Sequence, residues 1–360
     1  MKNLVPMILM RSAIIIALTW LAGCAGMEQY MPADAPPLTA DQEIKVGSTA
    51  EDRMLQMLGG PRHDQALLEE LDSLIKTEGG ASGRFTITVA DKSAAALYAL
   101  PGGRIVVTRG VLSEISDQGE LVALLKGAAA LTRTAYSERA NRASNEATAE
   151  ILSLKESVYD PESGSIRLAR IFAQRPCEGR CLTSLLQSGV NRSGDVPESI
   201  RMLKGLQPAY ELLKEAQRLE KADNPSQAIT QYLNAASMAP EEPQILGSLG
   251  MAYLRTGDLQ TARLNLQKAV ELQPDYYKTR MGLGYLYLQQ GNVRKANDQL
   301  AESVRLLPVT ENLFLLAEVR EKGGDAEGGM SLYRLIVETD PHSKLGRTAA
   351  SRLARSKGVE

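Results

Sequence analysis

Along most of this chain apolar side chains recur every three to four positions, the spacing that places them on one face of a helix. Leu67, Leu68, Leu71, Leu74 and Ile75 form one such face, and Leu121, Leu124, Leu125, Ala128 and Leu131 form another. Helical periodicity begins near Gln42 and breaks at Gly59-Gly60-Pro61 and again between Gly79-Gly80 and Ser82-Gly83. Two short stretches differ. Residues 85–90 alternate apolar and hydroxyl side chains, which predicts a half-buried strand. Residues 105–108 are β-branched and predict a second strand, reached through a loop and a Pro-Gly-Gly turn and followed by a long helix from about Gly110. Together they predict a small sheet packed against a helix over 118–135. Further helical patterns cover 136–156 and 166–180, and residues 188–197, rich in Gly, Ser and Asn, read as a linker.

From about Gln207 the pattern repeats. Pro240, Pro274 and Pro308 are spaced by 34 residues, and Pro341 follows 33 later. Leu249/Leu283, Gly250/Gly284, Tyr253/Tyr287, Gly257/Gly291, Ala262/Ala296 and Leu266/Leu300 keep the same phase. This is tetratricopeptide spacing: small residues let the two helices of a repeat approach closely, and proline ends the second helix. Repeats at 243–274 and 277–308 are strong, and those at 209–240 and 310–341 are degenerate but in phase. A capping helix over 343–355 completes the series. The first helix of each repeat lines a concave groove. By phase, Tyr210, Leu213, Gln217, Gln244, Met251, Leu254, Lys278, Met281, Tyr285 and Leu288 are expected to face it. Apolar, Met and Tyr groups with few charges suit an extended or helical apolar segment of another protein.

The first residues change the picture of where this happens. Lys2 and Arg11 precede a short apolar core over 12–20, and Leu21-Ala22-Gly23-Cys24 matches the bacterial lipoprotein cleavage box. The apolar run is too short for a spanning helix, which needs roughly 20 residues. The expectation is a signal peptide over 1–23, a lipid on Cys24, a proline-containing tether over 24–41, and an address at the periplasmic face of the outer membrane, since Ala25 and not Asp follows the cysteine. Formal net charge is −2, and −4 without Lys2 and Arg11, so no long-range attraction to nucleic acid follows. Beyond Cys24 only Cys177 and Cys181 remain, in RPCEGRC, and an oxidising compartment permits a local disulfide. A zinc pair is the alternative, without further Cys or His to complete four ligands, and two free thiols are the third possibility.

The residues around the second strand carry a resemblance. Leu97-Tyr98-Ala99-Leu100-Pro101-Gly102-Gly103, a short strand, and Glu120-Leu121-Val122-Ala123-Leu124-Leu125 resemble the core of the HtpX / CAAX prenyl endopeptidase family of zinc metallopeptidases. That family reads N-A-F-A-L-P-G-G, a strand, then E-L-A-A-V-L-A-H-E-x-x-H. The likeness stops where the chemistry begins. Gly127-Ala128-Ala129-Ala130-Leu131 stands in place of H-E-x-x-H. Two His at i and i+4 would hold zinc and the Glu would take the proton from bound water, and Gly, Ala and Leu can do neither. The family's third ligand corresponds to either Glu146 or Glu150, two residues that equally read as a solvated i,i+4 face. The resemblance therefore implies a pseudo-peptidase over 42–195, with no catalytic residue, no metal and no cofactor.

No other chemistry competes. The two histidines, His63 and His342, both fall in turn-like segments and read as surface residues. No phosphate-cradling loop, nucleophile elbow or basic stripe is present. The fold expected is mainly α: an α+β peptidase-like domain with a small sheet, then an α-solenoid of about four tetratricopeptide repeats over 207–341, and a capping helix and tail over 342–360. By resemblance, periplasmic family members with this domain order imply an adaptor or chaperone-like factor whose partners are proteins: outer-membrane or envelope assembly components or clients. An active zinc metalloendopeptidase in outer-membrane protein quality control, or a structural partner of a secretion or export machine, are the alternatives.

Overall fold

The computed structural model describes residues 39–78, 85–138, 164–173, 176–187 and 194–356. The leader, Cys24, most of the tether, Glu146 and Glu150 lie outside them. The first helix, α1 (Ala40–Met57), starts from a Thr39 cap whose side chain accepts from Gln42 N while Gln42 Oε1 accepts from Thr39 N. Helix α2 (Gln65–Glu78) follows the glycine turn at 59–60. Three strands come next: β1 (Thr86–Ala90), β2 (Leu97–Leu100) and β3 (Arg104–Thr108), in sheet order β1-β3-β2. β1 runs parallel to β3, with Ile87 opposite Ile105, and β2 runs antiparallel to it, with Leu97 opposite Val107.

Strand β2 corrects the sequence expectation of a loop at 97–100. Both faces of this sheet are covered, so its residues form an unbroken apolar run without alternation. Leu97, Ile105 and Val107 pack with Leu67, Leu71, Leu121, Leu124, Leu125 and Ala128 on one side. Tyr98, Leu100 and Val106 pack with Val46, Ala50, Met54 and Phe172 on the other. The expected long helix from Gly110 is also two helices, α3 (Arg109–Glu114) and α4 (Gln118–Glu138). Asp117 restarts the helix by accepting from Glu120 N at 2.9 Å, and Glu120 reaches back to Ser116 N at 2.6 Å. The expected helix over 166–180 is α5 (Gly164–Ala173), and α6 (Arg180–Gln187) follows the turn that holds Cys177. The segment between Pro197 and the repeats holds a further short helix, α7 (Glu198–Gly205).

The repeats are four helix pairs: α8 (Gln207–Lys221) with α9 (Pro225–Met238), α10 (Pro243–Thr256) with α11 (Leu259–Leu272), α12 (Tyr277–Gln289) with α13 (Val293–Leu306), and α14 (Thr310–Lys322) with α15 (Ala326–Thr339). A last helix, α16 (Lys344–Ser356), packs on the fourth pair. A left-handed residue followed by an Asp or Asn cap turns the chain inside a pair: Gly257-Asp258, Gly291-Asn292 and Gly324-Asp325. In the degenerate first repeat Asp223 takes the left-handed place at φ 58°. Gly250 and Gly284 are tight contacts. A Cβ on Gly284 would lie 2.6 Å from Leu300 Cγ, and one on Gly250 2.7 Å from Leu266 Cγ. Among the described residues no helix is long and apolar enough to cross a membrane.

Candidate functional site

The positions compared above with H-E-x-x-H lie in packed surroundings. Ala128 is fully buried among Leu121, Leu124, Leu125 and the sheet. A Cβ on Gly127 would lie 2.4 Å from Leu185 Cδ2, so α6 covers that position. Leu131 is half-buried against the same core. Among the described residues no group of three His, Cys, Asp or Glu side chains is arranged to hold a metal ion. Cys177 and Cys181 are joined in a disulfide with Cα atoms 5.2 Å apart. Cys177 exchanges two backbone hydrogen bonds with Leu97, which places the disulfide turn on the β2 edge.

The seam between the N-terminal unit and the repeats is held by polar groups that sequence reading did not find. Arg62 follows the glycine turn and makes a two-pronged pair with Glu242 at 2.9 and 3.0 Å. Tyr210 Oη lies within 2.5–3.1 Å of oxygens of Glu242 and Asp91. Arg109, 2% exposed, donates from Nε to Asp91 at 2.7 Å and stacks its guanidinium 3.3 Å from the Tyr210 ring centroid. Two guanidinium groups thus balance two carboxylates around one phenol, the arrangement that makes burial of charge tolerable. Burial pushes the Glu242 carboxyl up, but its hydrogen bonds and charge contact with Arg62, with the Tyr210 hydrogen bond, hold it net below its ordinary value. Burial, and then the Asp91 charge, push the Tyr210 phenol well up. Around this centre Gln244 Nε2 donates to Gly59 O, Gln273 Nε2 to Pro61 O, and Gln56 bridges Asp275 O and Tyr277 N. Arg53 caps the carbonyls of Arg305 and Leu306 at the end of α13. His63 pairs with Asp275 at 2.7 Å on the exposed edge, and that hydrogen bond raises the imidazole above its ordinary value. His342 is exposed.

The concave side carries a cleft of about 300 Å³ between α8, α10 and α12. Five of the ten groove positions expected from repeat phase line it: Gln217, Gln244, Met251, Lys278 and Met281. The others do not. Tyr210 is 4% exposed and belongs to the seam. Leu213, Leu254 and Leu288 are buried in the solenoid core. Tyr285 is half-buried against the core that holds Leu283 and Leu286, outside the lining of this cleft. The physical reason is that each first helix is flanked by two others. Positions at the seam between successive first helices are covered, leaving a narrower open strip than the helical wheel suggests. The cleft also holds residues the phase argument missed. Arg255 is ion-paired with Glu220, which accepts from Tyr232 Oη at 2.9 Å, and Ser248, Tyr276 and Thr279 add polar rims. Burial pushes the Tyr232 phenol up to about 12 and lowers the Arg255 guanidinium from its ordinary value. A mixed surface of two thioethers, amides and hydroxyls with one ion pair suits an extended segment that offers both apolar side chains and backbone groups.

Residues 213–277 and 281–344 match the tetratricopeptide repeat family, and 253–308 match a second description of the same repeat. The C-terminal half is a tetratricopeptide-like solenoid. Solved structures similar to it include MamA (residues 41 to the end) from Desulfovibrio magneticus RS-1, 23% identical, covering 41% of this chain and 96% of that one with a TM-score of 0.35. The first TPR of Spaghetti (RPAP3) bound to the HSP90 peptide SRMEEVD is 20% identical over 33% of this chain and 94% of that one, with a TM-score of 0.32. The Sgt2 TPR domain from Aspergillus fumigatus is 21% identical over 33% and 82%, with a TM-score of 0.32. No curated protein matches the chain.

Proposed function

We propose that this protein is a lipid-anchored periplasmic adaptor or chaperone-like factor of outer-membrane protein assembly, with protein clients held in the repeat cleft beside a pseudo-peptidase domain. The single observation that carries the binding reading is the open cleft of Gln217, Met251, Lys278 and Met281 on the concave side. Tetratricopeptide solenoids bind protein partners along such surfaces. The address rests on Leu21-Ala22-Gly23-Cys24, which would place a lipid on Cys24. The peptidase likeness rests on the motif at 97–125, and packing of Gly127 under Leu185 and of Ala128 in the core leaves no room there for the imidazole and carboxylate that cleavage would use.

The test is a photo-crosslinking residue at Gln217 in the intact chain in cells, with and without Met251→Ala. Adducts with outer-membrane proteins or their assembly factors, reduced at least ~5-fold by Met251→Ala, are expected; a loss of that size corresponds to about 1 kcal/mol. Cys24→Ser is expected to remove palmitate labelling and release the protein from outer-membrane fractions. Adducts confined to cytoplasmic or inner-membrane proteins, or labelling that survives the Cys24 change, would overturn the reading.

A further inference from the structure

Among the described residues that line the concave cleft none is Leu, Ile, Val or Phe. Its large apolar groups are the thioethers of Met251 and Met281 and the rings of Tyr232 and Tyr276. Both methionines are half-buried and open to the cleft. Met251 is placed by a glycine. A Cβ on Gly282 would lie 2.5 Å from Met251 Sδ, so the bare backbone of α12 is what lets the sulfur from α10 lie across the two helices. Tyr276 is fixed as a wall. It stands edge-on to Tyr277 with ring centroids 5.6 Å apart, and a Cβ on Gly60 would lie 2.9 Å from its Cδ2. The rim carries two exposed cations. Arg255 is matched by Glu220, while among the described residues no carboxylate pairs with Lys278, whose ammonium lies 5.9 Å from the Tyr277 ring centroid.

We propose that this cleft is a subsite for one aromatic side chain, Phe, Tyr or Trp, of an extended client segment, its ring edge against Met251 and Met281 and its face toward Lys278. The inference rests on the reading that clients bind the concave side, and adds which side chain they present there. Thioether sulfur is polarizable and gains most at the edge of an aromatic ring, at about 5 Å. An ammonium over the ring face adds to that contact. An aliphatic side chain gains only the area it buries. A carboxylate finds one unmatched cation, with the Glu220 carboxylate in the same lining. A cleft of about 300 Å³ is at the small end of ligand sites and suits one bulky side chain with its flanking backbone. Gln217 and Ser248 offer donors and acceptors to that backbone.

The experiment is a titration of the full-length chain with capped pentapeptides, acetyl-Ser-Gly-X-Gly-Ser-amide, followed by calorimetry and NMR. X is Phe, Leu, cyclohexylalanine or Glu, and cyclohexylalanine keeps the shape and apolar area of Phe without its π electrons. Saturable millimolar binding of the Phe peptide is expected, with the Leu and cyclohexylalanine peptides ~5-fold weaker, which corresponds to about 1 kcal/mol. Met251→Leu keeps volume and apolarity and removes the sulfur. It is expected to weaken the Phe peptide ~3-fold and to leave the cyclohexylalanine peptide unchanged. Gly282→Ala, which displaces Met251 Sδ, is expected to weaken the Phe peptide as well, with thermal unfolding checked in parallel. Lys278→Gln is expected to cost the Phe peptide ~2- to 3-fold. Four results would overturn the subsite: equal affinity for Phe, Leu and cyclohexylalanine; a Met251→Leu change that spares the Phe peptide or weakens both rings equally; tighter binding of the Glu peptide; or no saturation below ~50 mM. Adducts from Gln217 in cells without Phe selectivity in solution would strike this subsite and leave the client reading standing. Phe-selective binding in solution with no client adducts in cells would strike the client reading and leave the subsite.

Discussion

Placing an H-E-x-x-H motif on α4 with Gly127→His, Ala128→Glu and Leu131→His is expected to unfold the N-terminal unit and not to build a zinc site. Three local costs add. A Cβ on Gly127 already reaches within 2.4 Å of Leu185 Cδ2, and an imidazole extends further into α6; overpacking of this kind costs ~1–3 kcal/mol. Ala128 is fully buried in the apolar cluster that holds Leu121, Leu124 and Leu125. A carboxylate placed there stays protonated or unpaired, at roughly 3–5 kcal/mol by comparison with broken buried ion pairs. Leu131→His exchanges half-buried apolar surface for a polar ring, about 1 kcal/mol. The sum exceeds roughly 5 kcal/mol, the lower end of a domain's whole stability. Thermal unfolding followed by circular dichroism, with zinc content by mass spectrometry, reads the outcome, and a fall in Tm of at least ~15 °C is expected. Adding Leu185→Ala to the triple variant is expected to recover part of the first cost and none of the second, because only the first arises from that contact. A triple variant that stays folded within ~3 °C of the parent and holds one zinc per chain would refute the packing argument.

Two further outcomes are expected. Gly284→Ala should lower stability by ~1–3 kcal/mol, because its Cβ would press on Leu300 Cγ at 2.6 Å and on Leu300 N at 3.3 Å; an unchanged urea midpoint would show that the helices of the third repeat can separate freely. The seam should also respond to pH in two directions. The Glu242 carboxyl is held below 4.5 in the folded protein, so its contribution is complete above that value and is lost as pH falls through the lower folded one. The His63 imidazole is held above 6.5, so its smaller, solvent-screened contribution is complete below 6.5 and is lost as pH rises through the folded value. Urea unfolding across pH should show Glu242→Gln flattening the acid limb and His63→Ala the neutral one. Limbs identical to the parent's would show that neither group reports on the seam.

What made the repeats legible was locality. The Gly250–Leu266 and Gly284–Leu300 contacts lie within single repeats, and each turn is completed by a residue next to its glycine, as in Gly257-Asp258. Information of that range survives in a one-dimensional pattern, so spacing, helix pairs and the capping helix could all be placed from side-chain size and phase. Strand β2 was less visible for a physical reason: Leu97, Tyr98 and Leu100 are covered on both faces, which erases the alternation that marks a half-buried strand.

The sites depended on tertiary structure. Phase alone put Tyr210 in the groove, but its hydroxyl contacts Asp91, 119 residues earlier in the chain. Arg62 reaches Glu242 across 180 residues. An arginine in a sequence reads as surface, and Arg109 is buried only because Asp91 and the Tyr210 ring are brought to it. The amino-acid sequence by itself determined the solenoid and the small sheet with its helix. Which first-helix residues stay open was decided by how successive helices of the solenoid pack on one another, and the charged seam by how the turn at 59–64 docks on the repeats, because burying a charge requires partners that no local pattern records.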